Sequence, residues 1–407
     1  MIPVLKHHNL AQAVVQGLSD IFTERQYADK VVPKLLQSNP KWGSRDRHAI
    51  AFTIYEMVRN WRLLCETAGY PLLAKPTKEQ MWQLVAVWLM VNDQSLPYFE
   101  EFLTYDVDAI KEKHRQLLTV RATRESIPDW LDLMAEEQLG EQWDDEIAKL
   151  NRPAPLVIRV NSLKTNMAKM LNFFKELQIT ATPLEGLPDA LLIETNKQLF
   201  KTHAFINGWF EVQDAASQMV VPFLDAQPEM LVVDACSGAG GKALHISALL
   251  NNRCRLIAYD TDKGKLSELK KRAERNNAKV TILAPQFPPD AGKTYLGKAD
   301  RLLLDVPCSG LGTLRRRPDL KWKLTPDNLQ ELQKTQQHIL TRYMPLLKVG
   351  GIAVYATCSI LPSENEQQID RFLAQHAGTY QLLEHKRISP SHFGFDGFFM
   401  AKLQRIT

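Results

Sequence analysis

Two cysteines stand where chemistry is easiest to place. Leu302-Leu303-Leu304-Asp305-Val306-Pro307-Cys308-Ser309-Gly310 and Ala353-Val354-Tyr355-Ala356-Thr357-Cys358-Ser359 each carry an apolar strand into a turn, with a thiol just past the strand's C-terminal end. Ligands of open α/β sheets bind outside those carboxyl ends, so Cys308 and Cys358 are expected to face one crevice. A lone thiol is more often a core residue; two equivalent placements favour a site. A third segment, Val232-Val233-Asp234-Ala235-Cys236-Ser237-Gly238-Ala239-Gly240-Gly241-Lys242, ends a strand in a glycine-rich turn that opens a helix. Such a turn admits a ligand close to the backbone, and the helix start offers free N–H groups. Asp260 closes the next strand 22 residues after Gly238, the offset at which a carboxylate accepts from ribose hydroxyls. A purely structural tight turn is the alternative. Coupled to Asp260, residues Cys236, Ser237, Gly238, Ala239, Gly240, Gly241 and Lys242 read as a cradle for an adenosine-containing cofactor. The turn is neither G-x-G-x-x-G nor a Walker loop, which favours S-adenosylmethionine over a dinucleotide or nucleoside triphosphate.

A thiol beside a methyl donor suggests one reaction in particular. Carbon 5 of a pyrimidine is a poor nucleophile until a thiolate adds to carbon 6 and makes it enamine-like. A proton must then leave carbon 5 so that the thiol can be eliminated. Asp305, also at a strand end, is placed to hydrogen-bond the N3/N4 edge of cytosine and stabilise the electron-rich intermediate; its alternative role is to hold a turn. Amino-group methylation needs no cysteine and commonly shows an Asn/Asp-Pro-Pro-aromatic turn, where this chain has Asp305-Val306-Pro307-Cys308.

These segments need a sheet to hold them. Strands expected at Leu231–Val233, Arg255–Tyr259, Val280–Leu283, Arg301–Leu304 and Gly351–Ala356 alternate with helical stretches, predicting a parallel, doubly wound α/β domain over 229–407. Before it, strands at Leu156–Val160, Ile179–Pro183, Ala190–Glu194 and Trp209–Gln213 and a helix at Met167–Leu177 describe a small α+β module over 151–228. Residues 1–150 read as all-helical. There Ile50, Ile54, Met57, Val58, Trp61 and Leu64 recur at helical spacing among Arg45, Arg47, Arg59 and Arg62, so either a core-facing helix with a basic flank or a solvated charged face is expected.

Composition narrows the rest. With 45% hydrophobic and 24% charged residues over 407 positions, disorder and coiled coil are excluded, and two or three domains are expected. A net charge of +4 is too small for a uniformly basic surface, so any nucleic-acid contact must be local. The longest apolar run, Met81–Met90, suits a buried helix rather than a bilayer span. The first residues do not resemble a signal peptide, and five cysteines without a C-x-x-C suggest reduced thiols and no metal site. The expectation is a cytoplasmic protein.

The motifs resemble the Sun/Fmu (Nop/Sun) RNA cytosine-5 methyltransferases, above all the RsmB-like ribosomal RNA branch. Those carrying the resemblance are Arg159-Val160-Asn161, Gln213-Asp214-Ala215-Ala216-Ser217, the Cys236–Lys242 turn, Asp305-Val306-Pro307-Cys308-Ser309-Gly310, Arg316-Arg317-Pro318-Asp319-Leu320-Lys321-Trp322, Thr357-Cys358-Ser359 and Asp396-Gly397-Phe398-Phe399. The resemblance implies a class I Rossmann-like domain that binds S-adenosylmethionine, an RRM-like module and an N-terminal NusB-like helical domain, the last through Gly43-Ser44-Arg45-Asp46-Arg47. It implies Cys358 as nucleophile, Cys308 as an aid to product release, Cys236–Lys242 and Asp260 as donor contacts, and Asp305 close to donor and base. DNA cytosine-5 methyltransferases instead use the Pro-Cys thiol, so these roles depend on the family.

Two features depart from the family pattern. Ser237-Gly238-Ala239 stand where Ala-Ala-Pro is usual, and no acid follows the third strand around Ala284-Pro285-Gln286. Beyond Cys308, the run Arg315, Arg316, Arg317, Lys321 and Lys323 with Trp322 offers cations for phosphate and a ring for a flipped-out base, a structural tryptophan in a charged loop being the alternative. Lys263, Lys265, Lys270, Lys271, Arg272 and Arg275 read as a solvated helix face. The expected partner is RNA, most simply ribosomal, with tRNA as runner-up, no DNA, no membrane and a monomeric state. A non-catalytic RNA-binding assembly factor and a thiol–disulfide exchange protein are the competing readings.

Overall fold

The computed structural model describes residues 5–102, 104–194, 199–283 and 294–407. Its chain divides into two compact units, Met1–Arg152 with Leu314–Thr325, and Pro153–Thr313 with Pro326–Thr407. The segment 314–325, expected within the α/β domain, is therefore part of the helical unit. The α+β module and the α/β domain fall within one unit, rather than dividing at 228.

The helical unit is built around the helix Lys78–Val91, buried from Met81 to Met90, and the helix His8–Phe22. Thr77 starts the former by accepting from Gln80 N at 3.2 Å while Gln80 Oε1 accepts from Thr77 N at 2.8 Å, a reciprocal cap. The periodic apolar set Ile50 to Leu64 is buried as its spacing predicts, split by Asn60 into the helices Ser44–Arg59 and Trp61–Thr67. The arginines around it form neither a basic flank nor a wholly solvated face. Arg47 donates to backbone carbonyls of Trp42, Leu36 and Asn39, Arg59 to those of Leu314 and Arg315, and Arg62 to Ile127 O and the Asp129 and Glu66 carboxylates. Asp46 Oδ2 accepts from Gly43 N at 3.0 Å, so Gly43–Arg47 starts a helix and pins the loop before it.

In the second unit, β1 (Leu156–Val160), β2 (Thr180–Leu184), β3 (Leu187–Glu194) and β4 (Phe210–Val212) form an antiparallel sheet in the order β2-β3-β1-β4, with the helix Met167–Glu176 packed on it through Met170 and Phe174. A seven-stranded sheet follows, built from β5 (Leu231–Asp234), β6 (Arg255–Ala258), β7 (Thr281–Ile282), β8 (Ala299–Asp305), β9 (Leu347–Thr357), β10 (Tyr380–Ile388) and β11 (Phe398–Arg405). Its order is β10-β11-β9-β8-β5-β6-β7, parallel from β7 to β9, with β11 antiparallel to both β9 and β10. This is the class I Rossmann-like arrangement. The antiparallel pair is missing from the sequence reading because β10 exposes all but its two end residues, and an exposed edge strand carries no apolar run to recognise. Val232, Leu303, Val354, Ala356 and Met400 fill one face of the sheet, and Val233, Leu302, Leu304, Tyr355 and Phe399 the other.

Candidate active site

The register of the parallel strands sets the geometry at their C-terminal ends. Asp305 lies opposite Ala356 across the β8–β9 pair, so the turns after the two strands leave side by side. Val306 N donates to Ala356 O at 3.0 Å and Gly312 N to Cys358 O at 2.9 Å, which laces the two turns together. Cys308 Sγ and Cys358 Sγ are 3.3 Å apart, and both residues are partly exposed. The hydrogen bond to Cys358, burial and the nearby Glu364 carboxylate all push the Cys308 thiol well above its ordinary range. The two sulfurs are close enough to share a hydrogen bond in either direction.

Asp305, at the end of β8, is tied to the cofactor turn. Lys242 Nζ donates to Asp305 Oδ2 at 2.6 Å and sits 5.0 Å from the Phe398 ring centre. Lys242 is nearly buried while the Asp305 side chain keeps 31% exposure, so the ion pair fixes the carboxylate and leaves part of it open. The lysine thus joins the first helix of the parallel sheet to the mouth of its fourth strand.

The turn itself uses its glycines for stated reasons. Gly240 has φ +89° and a Cβ there would run into Leu269 Cδ1, whereas Gly238 has φ +53° and open space where a Cβ would be. Asp260 Oδ2 accepts from Gly238 N at 2.9 Å and Oδ1 accepts from Asp262 N at 2.9 Å. The carboxylate expected to accept from ribose hydroxyls thus accepts from the backbone amides of the turn and of Asp262. At the foot of the turn Asp234 is buried, neither carboxylate oxygen has a hydrogen-bond partner among the described residues, and burial with the neighbouring Asp305 pushes it up to about 8. Burial and the carboxylates Asp234, Asp305 and Asp260 likewise push the Cys236 thiol well up.

An orphaned buried carboxylate, an acid on the turn's amide and open space at Gly238 and Gly241 fit an adenosine-containing donor. Ser237 in place of alanine does no harm, since its hydroxyl donates to Tyr259 O at 3.1 Å. The missing third-strand acid around Ala284-Pro285-Gln286 lies outside the described residues.

Two basic expectations are corrected. Arg272 donates to Ala239 O at 2.7 Å and to Glu211 Oε2 at 2.9 Å, and Arg275 also pairs with Glu211. Burial pushes the Glu211 carboxyl up, but these cations hold it below its usual range. Of the six cations on that helix, Lys263, Lys265, Lys270 and Lys271 are exposed; Arg272 ties the glycine-rich turn to the antiparallel sheet.

The second correction concerns the run after Cys308. Lys321 is 1% exposed, and its Nζ donates to Arg59 O at 2.8 Å, Glu125 O at 2.9 Å and Asn151 Oδ1 at 2.9 Å. Trp322 Nε1 donates to Val58 O at 2.8 Å and its ring packs on the helical core. A lysine with three partners has no donor left for a phosphate, and Trp322 is held half-buried against the helical core by its indole N–H. Arg315, Arg316 and Arg317 are half-buried, with Arg317 over the Tyr27 ring at 5.5 Å.

Sequence reasoning missed Asp234 and Glu364. The first had a signal, an acid ending a strand one step before the turn. The second lies in Ser363-Glu364-Asn365, which reads as a helix start and nothing more.

Known proteins give a consistent comparison. The profile of the 16S rRNA methyltransferase RsmB/F family matches residues 221–404, and that of the RsmF/B-like methyltransferase ferredoxin-like domain matches 127–199. A probable ribosomal RNA small subunit methyltransferase B from Synechocystis sp. is 35% identical over 301 residues, covering 69% of this chain and 67% of the relative. A ribosomal RNA small subunit methyltransferase B from Yersinia enterocolitica is 35% identical over 287 residues, covering 68% of this chain and 66% of its own length. The matched part is thus about two thirds of each relative. The crystal structure of PH0851 has the same fold, with a TM-score of 0.79 and 24% identity over 97% of this chain and 99% of that one.

Proposed function

The chain belongs to the RsmB/F 16S rRNA methyltransferase family, and from that premise we propose that it methylates carbon 5 of a cytosine in structured RNA, ribosomal RNA first among candidates, through a transient bond from Cys358 to carbon 6. The observation that carries this reading is the 3.3 Å approach of Cys308 and Cys358 at the ends of adjacent strands, beside the Lys242–Asp305 pair. Amino-group methylation has no use for either thiol.

S-adenosylmethionine, held by Cys236–Lys242 and Asp260, supplies the electrophilic methyl group when bound. Cys358 gives up its thiol proton to solvent as the substrate binds and adds its sulfur to carbon 6, and the displaced π pair makes carbon 5 nucleophilic. Asp305, oriented by Lys242, hydrogen-bonds the N3/N4 edge and steadies the charge that builds on the ring. Release reverses the first step: the carbon 5 proton leaves, the C5–C6 double bond re-forms, and the S–C6 pair returns to Cys358. Cys308, 3.3 Å from that sulfur, supplies it with a proton and is reprotonated by the one leaving carbon 5. The thiol chemistry suits a reducing cytoplasm. Arg315, Arg316 and Arg317, half-buried and following Cys308 in sequence, are the residues proposed for phosphate contact.

The test is methyl transfer from labelled S-adenosylmethionine to unmodified small-subunit rRNA, followed by bisulfite sequencing. A single protected cytosine supports the reading. Label on an exocyclic nitrogen, or RNA binding with no donor binding and no turnover, overturns it.

A further inference from the structure

One buried carboxylate touches the residues that follow both thiols. Glu364, in the short turn after β9, is fully buried. It accepts from Ser309 N at 2.8 Å and from the Ser309 and Ser359 hydroxyls. Gln336 Nε2, on the helix Pro326–Tyr343, donates to Glu364 Oε1 at 3.0 Å and to Pro307 O at 3.1 Å. Tyr355 OH donates to the Glu364 backbone carbonyl at 2.7 Å, and Asn365 Nδ2 donates to Ser359 O at 3.0 Å. The carboxylate therefore has four donors and no cation among its hydrogen-bond partners, an arrangement that burial makes costly. A fold staple could be built from neutral groups. A charge at this point acts on what lies beside it.

We propose that Glu364 is a positioning residue that clamps the Pro-Cys-Ser and Thr-Cys-Ser turns together, holding Cys308 and Cys358 in contact, and makes the two thiols unequal. The clamp reaches both serines through one carboxylate and adds to the backbone bonds that lace the two turns. Its negative charge also lies near Cys308, where it disfavours the thiolate. The titratable groups facing Cys308 are Cys358 at the end of β9, Glu364 from the turn and the Tyr355 hydroxyl within β9. Glu364 is the carboxylate among them. The inference deepens the proposed cytosine chemistry and rests on it for its meaning, but not for its test.

The experiment uses the full chain without RNA or donor. Alkylation by iodoacetamide is followed across pH, and modification of Cys308 and Cys358 is read separately by mass spectrometry. Glu364→Gln keeps the shape and removes the charge, so the pH at which Cys308 begins to react falls by about one unit or more. Ser359→Ala removes one tether and keeps the charge; it leaves that pH in place and speeds alkylation of both thiols. A purely structural role predicts a lower melting temperature with the Cys308 profile unmoved, and that result overturns the proposal. If Glu364→Gln does not fold, Ser309→Ala and Ser359→Ala decide the question, unchanged alkylation rates in both counting against the clamp. A shifted Cys308 profile in a protein that methylates no cytosine leaves the clamp standing and removes the proposed function instead.

Discussion

Cys308 and Lys321 are thirteen residues apart in sequence and were both singled out by residue type, yet they end in opposite environments. The thiol turn stays at the open end of a parallel sheet, laced to its twin by backbone bonds and a buried carboxylate. The basic segment joins the helical unit, where Lys321 is enclosed by three acceptors and Trp322 lies on apolar helices. A thiol past a strand end is placed by the strand itself. A lysine is placed by whatever its long stem finds, and here that is a cluster of backbone carbonyls.

Four substitutions sharpen this contrast. The largest effect belongs to Cys358→Ala, which lowers methyl transfer by about 10⁴-fold or more because the covalent route is gone; single-turnover kinetics with labelled donor measure it. Asp305→Asn follows, with a loss of about 10²- to 10³-fold in turnover, since its stabilisation is made mainly in the transition state. Its KM for RNA changes far less; a raised KM with turnover unchanged would mean that Asp305 only binds.

Lys321→Met acts on stability instead. It removes the donor from three buried acceptors and costs about 3 kcal/mol or more in denaturant unfolding. A phosphate contact would behave otherwise, leaving unfolding unchanged and reducing the slope of RNA affinity against salt by about one. The fourth effect is a pH dependence at Asp234. Its folded value, pushed up by burial to about 8, lies above the unfolded one. The stability it contributes is thus complete below about pH 4 and lost as pH rises towards the folded value. Asp234→Asn removes the dependence, so the variant's melting temperature gains on the parent's across that window and runs parallel above it.

The legible parts were those in which short-range pattern decides placement. The strand–turn–helix of Val232–Lys242, the two Cys-Ser turns and the Asp260 offset all follow from strand ends and glycine conformations, and all lie where expected. The illegible parts depend on partners distant in sequence. Arg272 reads as one more solvated cation until Glu211 and Ala239 are beside it, and Glu364 is an ordinary acid until Ser309, 55 positions away, bends back onto it. Strand β10, with its exposed faces, offered no hydrophobic signal at all.

The unequal roles of the two thiols are tested most directly by trapping. Cys308→Ala and Cys358→Ala are each incubated with unmodified rRNA and S-adenosylmethionine, then denatured and resolved from free protein. The account predicts a stable protein–RNA adduct with Cys308→Ala, joined through Cys358, and none with Cys358→Ala. An adduct that accumulates only when Cys358 is replaced would contradict it.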